Sequence, residues 1–248
     1  MVSGSGPTAA ADVAGGERRL LFWTAVSTAA MAAVALVIGV STLPHSGPNC
    51  RSACVGYPYT GGAEFVPRDF WWMYPGSLVA LQAVALLLIL PRRDGAAAAL
   101  AARMSVVLGA IAAATLVTDY GIQLAVIQPA LLKGETTGIG LLSQYNPHGV
   151  FIALENVGYL LLGLAFAVAS VAAGPRSRLE RAARGVFGAG GVLTVTALIG
   201  YALGYRADLE YRFEVAGIAI DWLALIAAGV LLGLACRKPR STDLTGTG

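Results

Sequence analysis

The sequence predicts an all-α fold: a polytopic membrane helix bundle of six transmembrane helices with both termini cytoplasmic. Three observations lead there. Of 248 residues, 56% are hydrophobic and 12% charged, about half the charged fraction of a soluble domain, and the mean hydropathy is +0.69. The apolar residues gather into runs of about 20, the length at which a helix crosses a bilayer. Glycine is abundant, with 31 copies, as expected where helices pack closely in lipid.

Residues 1–17 are small and polar and read as a disordered tail. A first span, 20–43, follows Arg18-Arg19. A signal peptide competes with it, but the run is long for a cleaved leader and no clean cleavage site follows, so a retained helix is preferred. The loop 44–70 is rich in glycine and proline and ends in Phe70-Trp-Trp-Met-Tyr74, rings that favour a membrane interface. Further spans are expected over 72–90, 104–126 (stopping near Pro129), 149–173, 185–203 and 215–235, with a cytoplasmic tail over 238–248. The segment between Lys133 and His148 is apolar and glycine-marked, which suits a lid or re-entrant piece over one mouth of the bundle.

Charge sets the expected orientation. Of 17 basic residues, twelve fall at one end when the loops are alternated: Arg18, Arg19, Arg92, Arg93, Arg103, four in 175–184, and Arg237, Lys238 and Arg240. Arg51, Arg68, Lys133, Arg206 and Arg212 fall at the other. The positive-inside rule makes the first end cytoplasmic, and the protein is expected to be a multi-pass component of a bacterial-type inner (plasma) membrane. The net charge of +3 lies beside apolar spans, so it implies contact with membrane lipids and no nucleic acid.

Acids inside apolar spans mark the candidate site, because an ionisable group in lipid costs several kcal/mol unless it faces a cavity or partner. Asp119, Glu155 and Asp221 lie on three spans, each roughly 10–15 Å below the outer surface at 1.5 Å per residue. They are expected to share one chamber. Gln123 and Tyr159 stand four residues from Asp119 and Glu155 on the same helix faces. Tyr120, Phe151, Asn156, Trp222, Trp72, Tyr201 and Gln82 complete the expected lining. Apolar surroundings favour the neutral form of a carboxyl, the form a general acid needs. The competing reading is structural, each acid merely bonding to a neighbouring helix.

Other chemistries find no motif. There is no P-loop and no aspartate-rich pair for magnesium on a diphosphate. No mid-span lysine offers a Schiff base, and Gly188, Gly190 and Gly191 read as helix packing. His45, Cys50 and Cys54 share a loop, where a Cys50–Cys54 disulfide is preferred over zinc. His148, after Pro147, reads as a cap or interface residue.

Small size, high hydropathy and acids set among aromatic residues give a chain that resembles the integral-membrane terpene cyclases, both fungal meroterpenoid cyclases and bacterial cyclases of prenylated indoles. Ala63-Glu64-Phe65 and Asp221 resemble that family's early and late acids, although fungal members usually have seven spans. The resemblance implies an isomerase- or lyase-type enzyme without metal or cofactor. Its substrate would be a lipophilic prenylated small molecule, with Asp119, Glu155, Asp221 and Glu64 supplying or orienting the proton. Two alternatives stay open: a proton-coupled small-solute transporter or channel using the same acids, and a structural or assembly membrane protein.

Overall fold

The structure is a computed structural model that describes residues 7–237, with side chains described from Gly15 onward. Six helices in it are long and apolar enough to cross a membrane. Helix α1 is Pro7–Ser41, α2 Met73–Ile89 and α3 Ala96–Ile122. A π-turn over Gln123–Ile127 carries α3 without a break into α4, Gln128–Lys133. A single turn, α5 (Ile139–Leu142), precedes α6 (Val150–Ala172), α7 (Arg178–Tyr205) and α8 (Tyr211–Arg237).

Several expected boundaries are corrected. The tail expected over 1–17 is helical from Pro7, and residues 1–6 and 238–248 lie outside the described residues. The third span passes Pro129 instead of stopping there. Proline lacks an N–H and crowds the carbonyl four residues back. The chain meets it with a widened turn, in which the Gln128 N–H bonds to Gln123 O. Helix α7 starts earlier than the expected 185: Ser177 caps it by accepting from the Glu180 N–H at 3.2 Å. Helix α8 begins at Tyr211 rather than 215, which brings Glu214 inside the bundle.

Each helix packs beside its neighbours in a closed order, α1–α2–α3–α6–α8 and back to α1, with α7 seated on α6 and α8. Small residues set the close crossings. A Cβ on Gly229 would strike Ala25 O and Ala29 of α1, and one on Gly191 would strike Gly163 O and Ala167 of α6. Large apolar side chains such as Val37, Leu78, Leu81, Val107 and Leu223 are exposed on the outside, a surface made for lipid. Arg18 donates to Cys236 O at 2.9 Å, so α1 around Arg18 and the end of α8 lie together.

The opposite end carries the loops 42–72 and 134–149. A Cys50–Cys54 disulfide is present there, as expected, and the Val55 N–H to His45 O bond (2.7 Å) closes its loop. The segment 134–149 folds back over this end, as its composition suggested. Ile139, Ser143 and Tyr145 are buried in it.

Candidate functional site

Helices α3, α6 and α8 deliver three carboxyls to one place below the disulfide end: Asp119, Glu155 and Glu214. Asp119 is near enough to Glu214, and Glu155 to both, for direct electrostatic interaction, and all three are buried. Each has one oxygen buried without a hydrogen-bond partner. Among the described residues no lysine or arginine forms an ion pair with any of them; the ion pairs are His45–Asp69, Arg68–Asp69 and Arg212–Glu210.

A hydroxyl chain orients the acids. Tyr120 donates to Glu155 Oε1 at 2.8 Å, and the Tyr120 and Tyr159 hydroxyls are 2.7 Å apart. With Tyr120 committed to the carboxyl, Tyr159 donates to Tyr120. Trp72 meets the Tyr120 ring edge-on at 5.1 Å, Phe151 lies 6.3 Å from Tyr120, and Trp222 packs 6.4 Å from Tyr159. Gly217 makes room for this layer, since a Cβ there would press on Tyr159.

Asp221 does not join this group as expected. It sits two turns beyond Glu214 on α8, about 10 Å further along the axis, and accepts from Thr194 of α7 at 2.7 Å. Glu214 takes the place assigned to it. Glu64 is exposed on a 3-10 turn of the loop, outside the bundle. Tyr201 packs against Tyr205 at 5.9 Å on α7 and does not line the cleft described below. Gln123 is a tie for the fold and not a wall of the chamber: its amide donates to Leu142 O at 2.6 Å and accepts from the Gln144 N–H at 3.0 Å. Gln82 and Asn156 each keep a buried amide oxygen without a partner and do not line the cleft described next.

A partly open cleft of about 340 Å³ leads from the disulfide end to Glu214. Trp72, Tyr145, Phe151, Tyr211 and Trp222 supply its aromatic walls. Leu36 and Val40 of α1, Leu43 just after it, and Val215 and Ile218 of α8 make its apolar flank. His45, Ser46, Asn49 and Asp69 stand at its polar mouth.

The mouth is a network that the sequence did not disclose. His45 Nδ1 donates to Asp69 Oδ2 at 2.7 Å, the Tyr145 hydroxyl donates to the same oxygen at 3.1 Å, and Arg68 Nε reaches Oδ1 at 3.2 Å. Phe65 stacks on the imidazole at 3.6 Å. Burial, with the Asp69 carboxylate beside it, holds the Tyr145 phenol protonated well above the usual range. Ser46 and Tyr211 share a 2.7 Å bond, and Tyr211 donates to Gln144 O at 2.8 Å, which closes the roof. Gly47, at φ 67°, lies where any side chain would strike the Tyr211 ring. His148, read as a cap, is exposed and bonds Ala207 O at 3.2 Å.

Fold and cavity together define a multi-pass membrane protein whose bundle holds an aromatic cleft that reaches one buried acid, Glu214, of a group of three. Comparison with protein-family models, with curated proteins and with solved structures returned no match.

Proposed function

We propose that the protein is an integral-membrane cyclase acting on a lipophilic prenylated substrate, such as a prenylated indole or an epoxy-prenyl meroterpenoid precursor. The observation that carries this reading is Glu214 in the lining of an aromatic cleft, backed by two further acids that form no ion pair with a basic side chain among the described residues. A protonated carboxyl adds its proton to an alkene or epoxide. The chain closes on the resulting cation, and a proton is lost from a neighbouring carbon, which balances the reaction without metal or cofactor. Tryptophan and tyrosine faces stabilise the cation in a water-poor site. Glu214 would be the donor, with Glu155 and Asp119 resupplying the proton.

We place the protein in a bacterial-type plasma membrane with both termini cytoplasmic. The disulfide at one end and the excess of arginine at the other support that orientation.

The test is turnover by purified protein in lipid nanodiscs, with cyclised product followed by mass spectrometry. Product that disappears in Glu214→Gln supports the reading; no product from prenylated-indole or epoxy-prenyl substrates sinks it. One observation favours a second reading, a proton-coupled carrier. The titratable groups continue past the cleft through Glu155, Tyr120 and Tyr159, a longer series than one protonation requires. Proton flux in sealed liposomes, lost in Glu155→Gln, would identify the carrier.

A further inference from the structure

We propose that the cleft is a binding site for a lipophilic organic cation, an ammonium or other onium group on an apolar body.

The first ground is charge. Asp119, Glu155 and Glu214 converge with no basic partner among the described residues. Glu214 lines the cleft, is only 7% exposed and keeps Oε2 without a hydrogen bond. Carboxyls gathered in this way repel one another when ionised, and a bound cation supplies a counter-charge that no ion pair among the described residues provides.

The second ground is the chemistry of the walls. Trp72, Tyr145, Phe151, Tyr211 and Trp222 present five aromatic rings to one cavity. Aromatic faces attract cations, and most strongly those with weak hydration shells, such as onium groups. A metal ion fits the surroundings poorly, because no group of three or more His, Cys, Asp and Glu among the described residues has a metal-holding arrangement.

The third ground is the rim. Val40, Leu43 and Val215 line the cleft and are 75%, 66% and 53% exposed, so its flank merges with the lipid-facing surface of α1 and α8. A ligand entering there carries its apolar part along the helices and its charge toward Glu214. The inference shares its site with the cyclase reading but requires no turnover.

Radiolabelled tetraphenylphosphonium is the probe, measured against the full-length protein in nanodiscs and against empty nanodiscs. Saturable binding is expected, with tetraphenylborate, the anion of the same shape, failing to compete. Glu214→Gln should weaken binding about tenfold or more. Trp72→Leu, a change in the wall rather than the charge, should weaken it about fivefold. Glu64→Gln, outside the bundle, should leave it unchanged. A thermal melt of each variant separates weaker binding from misfolding. Binding no greater than in empty nanodiscs, or equal affinity in folded Glu214→Gln, overturns the proposal. Onium binding without cyclised product would overturn the cyclase alone, and product without onium binding would overturn this inference alone.

Discussion

The Tyr120 hydroxyl sits between two partners, Glu155 and Tyr159, with no water-accessible surface on any of the three beyond 1%. Replacing it with hydrogen leaves a buried carboxyl oxygen and a buried phenol each short of a bond. Such orphaned groups cost about 1–3 kcal/mol. Tyr120→Phe should therefore lower the melting temperature in nanodiscs and reduce any turnover, and a melt matching wild type would remove Tyr120 from the network. A second comparison separates the acids. Glu214→Gln should lower turnover about 100-fold or more, the scale of a lost general acid. Asp221→Asn, bound to Thr194 outside the cleft, should cost stability and leave the rate within about threefold. Asp119 and Glu155 were legible in the sequence because each interrupts an apolar run. Glu214 was not, since a span drawn from Val215 excludes it. The signal was its seven-residue spacing to Asp221, which puts both on one face of one helix.

Among the elements, the continuous α3–α4 rod decides how the cleft is roofed. Gln123 stands at the start of the π-turn and bonds both the Leu142 carbonyl and the Gln144 N–H, pinning the folded-back segment to the helix. From there Tyr145 reaches Asp69, and Gln144 O receives Tyr211. Local widening of a helix often accompanies function, and here it precedes Pro129 and anchors the roof. Gln123→Leu removes two bonds while preserving bulk. Faster hydrogen–deuterium exchange is expected across residues 139–146, with α6 and α8 unchanged; protection equal to wild type would mean the roof is held elsewhere. The composition of 133–148 revealed a segment that folds back. It did not reveal the π-turn, because proline reads as a stop unless the turn before it is known to have widened. The disulfide was likewise legible from two cysteines sharing one outer loop, but the pairing of His45 with Asp69 joins residues 24 apart through tertiary packing alone.

At the scale of the whole molecule, hydropathy alone was enough to count the spans, whereas the closed helix order depends on glycine crossings that periodicity does not encode. The two ends of the bundle are chemically unlike. One joins α1 at Arg18 to the end of α8 and carries most of the arginine; the other carries the disulfide, the roof and the mouth of the cleft. Positive charge near spans is retained on the cytoplasmic side, and disulfides persist in oxidising compartments. These two rules are independent, and both support the proposed orientation, with the disulfide end outside. The α3–α4 rod, from Ala96 to Lys133, spans about 55 Å at 1.5 Å per residue and leaves an exposed residue beyond each end, Asp94 and Glu135. Single cysteines there, in a Cys236→Ser background, report sidedness without disturbing the Cys50–Cys54 bond. A membrane-impermeant maleimide should label Glu135→Cys in intact bacterial cells and Asp94→Cys only after permeabilisation. The reverse pattern would turn the cleft toward the cytoplasm, so that its ligands and protons would have to come from inside the cell.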